Sequence, residues 1–393
     1  MSAIYAVNLM PIEPILFSDN RSAREGEDHL IRDQDPSPHT IYGAIGASIA
    51  RQRNVVAIER NEWNSKVADL LGTFEPEIAA GSESRAELLG YFYHDLQQAA
   101  WFPNPRHVVL RKNNANISLG SILKPERQAA HLADSSLAPE GFSHFFAHEA
   151  ADDEADDDYF IRQNLLEKIL GAEDAGEASP NDFLSVNKMY QPETRLGLRM
   201  ANFKNQAEEG LLFSRPYRRF VSGVDFSTNT WRAFSIKAFY KTLAHLGSAI
   251  ASHNLVAFLG GDRRRAMIRF EEELAEPLRD MREAVKARAK DSKGFFIYLL
   301  TPAVREAAWP KIDARPLIAA AIGKELTISG WNTNQPNQHP RPIRKLIPAG
   351  STFFYEWKNA AERAGIIDTL WMQPVSNQYR NSGFGRMLIG VWQ

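Results

Sequence analysis

From Leu211 onward the chain is a succession of short apolar stretches, each closed by glycine, proline or charge, and this restricts the fold more than any other feature. Leu211–Phe213, Phe220–Phe226, Leu255–Leu259, Ala266–Phe270 and Gly294–Leu300 have the length and composition of strands, as do 325–330, 343–347, 351–357 and 387–392. Between them, apolar residues at helical spacing predict a helix over 234–252. Glu and Lys/Arg on neighbouring turns predict a second over 272–289. Strands and helices in this order lack strict βαβ alternation, which predicts an α+β fold. A four-stranded antiparallel sheet with two helices, the ferredoxin-like plan, accommodates the order.

The first half is less regular. Ile4–Leu9 alternates as a strand does, and Pro11 and Pro14 end it. The apolar run Ile15-Leu16-Phe17 leads into the turn-like cluster Ser18–Arg21 and a polar stretch to Asp35. Ile41, Ala44, Ile45, Ala47 and Ile49 then predict a helix that Ser37 or Thr40 can cap, with Gly43 and Gly46 one turn apart for a close approach. Residues 63–71 and 84–100 also read as helical. Trp101 to Pro125 is broken by proline and carries Arg106, Arg111, Lys112 and Lys124. The block 149–158 holds seven acids in ten positions, the composition of a solvated, mobile loop, and 171–182 continues in that character. An insertion over about 55–180 follows, within a first domain of 1–225, before a second domain of 226–393.

Composition agrees with two domains, since a domain averages roughly 100–200 residues and the chain has 393. There is no internal repeat at a solenoid period. Forty-six basic against forty-eight acidic residues exclude a surface that is positive throughout, though not a local basic groove. The absence of cysteine excludes disulfide scaffolds, zinc ribbons, iron–sulfur clusters and thiol nucleophiles. The N-terminal stretch lacks a basic region and carries Glu13 between two prolines, unlike a signal peptide. The longest segment free of Lys, Arg, Asp and Glu, Thr242–Gly261, is studded with His, Ser and Asn, unlike a membrane span. The expectation is a cytoplasmic protein.

Three basic clusters stand out: Gly260-Gly261-Asp262-Arg263-Arg264-Arg265; Arg341, Arg344 and Lys345; and Arg215, Tyr217, Arg218 and Arg219. Arginine interleaved with aromatic rings suits single-stranded RNA, where rings stack on bases and guanidiniums hold phosphates. Each cluster alone also fits a solvated turn. Gly383-Phe384-Gly385-Arg386 can expose backbone N–H groups to phosphate, helped by Arg386 and Arg380, or form a tight turn before a last strand. It is neither a Rossmann fingerprint nor a P-loop. Catalytic sets are missing. There is no G-x-S-x-G. His144 and His148 have Phe145 where a metalloprotease has its glutamate. Asp19, Asp28, Asp33 and Asp35 lack spaced partners for a two-metal site. His39, at the start of a helix, suits an RNA contact and is the one candidate acid/base.

Four stretches together resemble the Cas5-like RAMP subunit of Cmr-type (type III-B) CRISPR RNA-guided effector complexes: Glu13-Pro-Ile-Leu-Phe-Ser-Asp-Asn-Arg21, Pro36-Ser-Pro-His-Thr-Ile-Tyr-Gly-Ala44, Leu259-Gly-Gly-Asp-Arg-Arg264, and the series Leu300-Thr-Pro302, Gly330-Trp331, Pro342, Ile347-Pro-Ala-Gly-Ser351, Gly383-Phe-Gly385. Ser18, Asn20 and Asp262 stand where that family often has Arg, Gly and Glu. The resemblance implies two ferredoxin-like (RRM-like) domains and a non-catalytic, metal-free and cofactor-free subunit that holds the repeat-derived 5′ tag of the CRISPR RNA. It implies docking to the large Cas10-type subunit and to backbone RAMP subunits, with a hairpin thumb in the duplex formed with target RNA. The residues it singles out for RNA are Arg21, His39, Thr40, Tyr42, Gly260, Gly261, Arg263, Arg264, Trp331, Arg341, Arg344, Gly383, Phe384 and Gly385, with Arg195 and Arg199 for the thumb. His39, Tyr42 and Trp331 are the rings expected to touch bases, and the glycine turns are expected to donate N–H groups to phosphates. The competing readings are a repeat-processing endoribonuclease of the same superfamily, the equivalent subunit of another CRISPR complex, and a structural α+β protein with incidental arginine turns.

Overall fold

The computed structural model describes residues 3–17, 35–53, 86–95, 99–113, 116–127, 143–146, 159–173, 178–200, 207–220, 238–246, 255–273, 278–305, 310, 312–313, 315–329, 331–332, 339–340, 342–375 and 378–393. The first strand, β1 (Ala3–Pro11), is covered on both faces: Tyr5, Val7 and Leu9 join one buried cluster and Ala6 another. Helix α1 (Pro38–Gln52) starts where the sequence predicts. Ser37 Oγ accepts the Thr40 N–H at 3.3 Å, and Pro38 sits at the first helical position. Ile41, Ile45 and Ile49, at helical spacing, are buried in the same cluster as Val7 and Leu9.

The strands that follow are β2 (Ala86–Asp95), β3 (Ala100–Pro103), β4 (Val108–Asn113), β5 (Asn116–Ile122), β6 (Pro125–Arg127), β7 (His144–Phe146), β8 (Tyr159–Arg162) and β9 (Phe183–Ser185). Helix α2 (Gln163–Leu170) separates the last two, and the single turn α3 (Val186–Met189) follows β9. A long hairpin, β10 (Gln191–Met200) with β11 (Ala207–Arg219), precedes β12 (Ala238–Leu246), β13 (Leu255–Phe258) and β14 (Arg265–Glu273). Helix α4 (Arg279–Arg288) then leads to β15 (Gly294–Leu299), β16 (Ala303–Val304), β17 (Ala319–Ala321) and β18 (Leu326–Ile328). After the short pair β19 (Trp331–Asn332) and β20 (His339–Pro340) come β21 (Arg344–Ile347), β22 (Thr352–Glu356), α5 (Arg363–Leu370) and β23 (Met387–Trp392).

Every ladder between these strands is antiparallel. The largest sheet runs β13-β14-β1-β12-β2-β3-β8-β9, and a second runs β17-β22-β15-β23. Within the first, β14-β1-β12-β2 stand in the chain order fourth, first, third, second, with α1 joining the first to the second. The second sheet repeats that order as β23-β15-β22-β17, with α5 joining the third to the fourth and α4 placed before the first.

The α+β expectation holds, but two predicted helices are strands. Residues 84–100 contain β2 and reach the first residue of β3, and 234–252 contain β12. Both central strands bury both faces: Leu88, Tyr91 and Tyr93 in one cluster, Leu89 and Phe92 in the other, and in β12 Tyr240, Ala244 and Leu246 opposite Leu243. A strand covered on both sides has no polar face, so its apolar run imitates a buried helix. The helix predicted over 272–289 starts later, at Arg279, because β14 continues to Glu273. Nor is 55–180 a separable insertion. Within it β2, β3 and β8 join the large sheet, and Leu165, Leu166, Ile169 and Leu170 of α2 are core. The same sheet takes β12, β13 and β14 from beyond the expected boundary at 225/226, so the change of sheet falls between Glu273 and Arg279. The predicted helix 63–71 and the acidic block 149–158 lie outside the described residues.

Candidate nucleic-acid interface

Beside the start of α1 the large sheet faces a third, three-stranded sheet, β16-β21-β18. A cavity of about 270 Å³ lies there, lined by Ser37 and Thr40 of the helix start, Gly260 and Gly261, and Thr327 and Ile328 of β18. A second, of about 420 Å³, shares Asp35, Pro302 and Leu326 with it and adds Tyr91, Tyr93, Tyr159, Arg106 and Lys324. The floor is a fixed polar network. Arg218, 4% exposed, donates from one Nη to Asp35 Oδ1 at 2.5 Å and to the Tyr93 hydroxyl at 3.2 Å. Tyr93 donates to the same carboxylate at 2.8 Å, and Tyr91 donates to the Pro36 carbonyl at 2.6 Å. Burial, and then the Asp35 charge, push both phenols well above the ordinary tyrosine value, so they remain neutral donors. The network anchors the residues leading into α1, whose N-terminal end carries partial positive charge suited to an anion.

The glycine turn beside the helix is held by the strap that follows β1. Ile15 exchanges backbone hydrogen bonds with Arg218 at 2.9 and 2.7 Å, and Glu13 accepts the Arg265 backbone N–H at 2.9 Å and its Nε–H at 2.8 Å. These bonds lower the Glu13 pKa. Gly260 has φ +74°, and a Cβ there would lie 2.4 Å from the Leu16 carbonyl oxygen. The position therefore needs glycine for the close approach of the strap. The Gly261 N–H donates to that same oxygen at 2.8 Å.

This corrects the expected phosphate cradle. The N–H of Gly261 is engaged within the protein, as are those of Gly385, bonded to the Pro302 carbonyl at 2.8 Å, and Gly383, bonded to the Arg380 carbonyl at 3.2 Å. Phe384 is wholly buried, its ring 4.8 Å from His39 and 5.5 Å from Tyr379. Tyr42 is also core, 5% exposed, with its hydroxyl donating to the Ala86 carbonyl at 3.3 Å. Neither ring faces a base. Arg386, read from sequence as a helper for phosphate, is wholly buried and paired with Glu87 at 2.6 Å.

Of the other predicted residues, the cleft lining takes in Thr40 but not His39, Arg263, Arg264 or Arg344. His39, half-buried, stands edge-on to Tyr379 at 4.7 Å. Arg263 is exposed two residues beyond Gly261 and enters no ion pair among the described residues. The Arg264 guanidinium lies 5.1 Å over the Tyr217 ring. Arg344 on β21 is half-buried opposite Ile328, its Nε without a partner among the described residues. Trp331 lies in β19, but its side chain is not among those described, and Arg21 and Arg341 lie outside the described residues. Sequence reading noted Arg106 only as a basic residue and missed Lys324, Asp35 and Tyr159 at the cleft. Their sites depend on long-range strand pairing, which no local signal announces.

The hairpin expected around Arg195 and Arg199 is present as β10–β11, paired from Gln191↔Arg219 to Met200↔Ala207. Arg195 is not free for phosphate at its base. It pairs with Glu193 at 2.6 Å and lies 4.8 Å over Tyr217, and Arg219 Nε donates to the same carboxylate at 2.7 Å. Partial burial opposes ionisation of Glu193, but the two arginines outweigh it and lower its pKa. The Arg199 side chain is not among those described.

His144 hydrogen-bonds Ser143 Oγ at 2.8 Å, while His148 lies outside the described residues. Among the described residues no group of three or more His, Asp or Glu side chains could hold a metal ion, and no helix is long and apolar enough to cross a membrane.

A family model described as "CRISPR-associated protein (Cas_Cmr3)" matches residues 7–392. No curated protein matches the chain. Solved structures contain similar chains, among them the following two. In the cryo-EM structure of the type III-B Cmr-beta bound to cognate target RNA, identity is 14% and the TM-score 0.44, over 93% of this chain and 88% of that one. In the structure of Cmr-beta bound to cognate target RNA and AMPPnP, state 1, identity is 16% and the TM-score 0.47, over 97% and 95%.

Proposed function

Since the chain belongs to the Cas_Cmr3 family of CRISPR-associated proteins, we propose that it is a non-catalytic RNA-holding subunit of a type III-B effector complex. In this reading it grips the repeat-derived 5′ tag of the CRISPR RNA and docks the large Cas10-type subunit beside the backbone RAMP subunits. Both sheets are ferredoxin-like units, the first carrying extra strands at its edges. The observation that carries the reading is the cleft at one helix N-terminus between the large sheet and the three-stranded sheet β16-β21-β18: Arg106 and Lys324 line it, Arg263 and Arg264 follow its Gly260–Gly261 turn, and Arg344 pairs with its Ile328. Cations beside a helix N-terminus suit a phosphate chain. The tag's phosphates meet these side chains rather than the glycine N–H groups. The β10–β11 hairpin reaches the guide–target duplex. The non-catalytic assignment draws support from His39, whose ring is packed edge-on against both Tyr379 and Phe384 rather than presented as a mobile acid/base.

The test is retention of guide RNA in a reconstituted complex carrying Arg263→Ala and Arg344→Ala, alone and together. Each lost phosphate contact should flatten the slope of log affinity against log salt by about 0.7 for a single strand. Unchanged retention and slope in the double variant would overturn the assignment.

A further inference from the structure

Away from the cleft, against the four-stranded sheet and beneath the β4–β5 hairpin, lies a cavity of about 500 Å³ that shares no lining residue with the two cleft cavities. Its lining includes four aromatic residues, His107, Phe296, Phe354 and Trp392. His107 is 2% exposed and stands edge-on to Phe296 at 4.8 Å and Phe354 at 5.3 Å. Two polar atoms of lining residues are buried with no hydrogen-bond partner among the described residues: His107 Nδ1 and Ser121 Oγ. Buried polar groups are almost always satisfied, so each orphan calls for a missing partner. Burial holds the His107 pKa down to about 3, so the ring is neutral and one of its nitrogens accepts a hydrogen bond. Two charged residues also belong to the lining, the exposed Lys124 and the half-buried Glu173, whose carboxylate is paired with Arg288 at 2.7 Å.

We propose that this cavity binds a mononucleotide, with the base among the aromatic side chains, its polar edge toward His107 and Ser121, and its phosphate at Lys124. A nucleobase fits for three reasons. Its faces stack on rings. Its edge carries donors and acceptors side by side, which can satisfy a neutral imidazole nitrogen and a hydroxyl together. The volume lies within the range of small-molecule pockets, roughly 300–1,000 Å³. This site is separate from the tag-binding cleft and does not depend on it.

Equilibrium dialysis of the full chain against labelled AMP, GMP, CMP and UMP, and against the matching nucleosides, tests the proposal. Saturable binding of one equivalent of at least one nucleotide is expected, with inorganic phosphate a poor competitor. Ser121→Ala should weaken it several-fold and His107→Phe, which keeps the ring but loses the polar atom, roughly tenfold. Lys124→Ala should weaken the nucleotide while sparing the nucleoside, and Arg263→Ala with Arg344→Ala should change nothing. If His107→Phe fails to fold, Ser121→Ala and Lys124→Ala still decide. Absence of saturable binding at millimolar ligand would overturn the proposal. So would affinity unchanged in both of those variants, or phosphate competing as well as the nucleotide.

Discussion

Replacing Arg386 by methionine separates a structural from an RNA-binding role for the terminal glycine turn. Its guanidinium is wholly buried and makes three hydrogen bonds: to Glu87 Oε1 at 2.6 Å, the Met372 carbonyl at 3.0 Å and the Arg380 carbonyl at 2.9 Å. It thus ties β23 to β2, one strand from each sheet. Methionine fills much of the volume but leaves a carboxylate and two carbonyls without their donor. Removing one partner of a buried ion pair costs about 3–5 kcal/mol. The Glu87 side chain is 30% exposed, so water takes up part of the loss. The expected cost therefore sits near the lower end, about 3 kcal/mol, a factor of roughly a hundred in the folded-to-unfolded ratio. Equilibrium denaturation in guanidinium chloride, followed by circular dichroism, measures it. Glu87→Gln should cost less, about 1 kcal/mol, because the amide oxygen still accepts from Arg386. The two changes should be strongly non-additive, since they share one interaction. Under native conditions the folded Arg386→Met protein should keep its guide RNA. Stability within about 0.5 kcal/mol of the parent, together with lost RNA retention, would refute the reasoning and return Arg386 to the RNA.

Gly260→Ala should cost about 2–3 kcal/mol, because it combines a positive φ with a clash at the Leu16 carbonyl; a lowered thermal midpoint is the readout. His107 gives an acid dependence. Its folded value is about 3 against an ordinary 6.5, so between those values the unfolded chain binds a proton that the buried ring refuses. Stability should then fall with pH by up to about 1.4 kcal/mol per unit, and His107→Phe should flatten that limb in denaturation curves taken from pH 7 to pH 4. Glu362 acts in a more acidic window. Its side-chain hydrogen bonds with Arg315, at 2.8 and 2.7 Å, hold its pKa near 2 against an ordinary 4.5. That stabilisation is complete above pH 4.5 and is lost as pH falls toward 2, so Glu362→Gln should lower stability at pH 7 while reducing the loss on acidification.

The sequence made α1, its Ser37 cap and three strands of the C-terminal sheet, β15, β22 and β23, legible, because each has a local cause: a capping hydroxyl, a helical spacing, an apolar run closed by glycine or charge; the short edge strand β17 was not legible. The sequence also concealed β2 and β12. Strands at the centre of a sheet with both faces covered lose the alternation that identifies them, and Leu88–Tyr93 and Phe239–Leu246 read as helices. The motifs behind the family resemblance proved to be fittings of the fold. Leu16 and Gly260–Gly261 touch each other, as do Leu88 and Gly383. Thr301, wholly buried, donates to the Gly383 carbonyl at 2.7 Å and accepts the Arg386 N–H at 2.9 Å. These contacts join distant segments, so their purpose could not be read from either segment alone. The candidate site was half legible. Thr40 and the Gly260–Gly261 turn do line the cleft, and the arginines at 263–264 and 344 adjoin lining residues in the chain or across a strand pair, whereas Tyr42 and Phe384, chosen for RNA, are packing residues. Lys324 and Asp35 came into view only once the sheets were assembled.

The measurement closest to the central claim is an affinity pull-down of the tagged chain from its native host, with the co-purifying small RNAs sequenced and the proteins identified. The account predicts guide RNAs sharing one repeat-derived 5′ end, a large polymerase-like subunit and further RAMP proteins, with the RNA lost from the Arg263→Ala, Arg344→Ala variant. Recovery of the chain alone, or with RNA that has no common 5′ end, would contradict it.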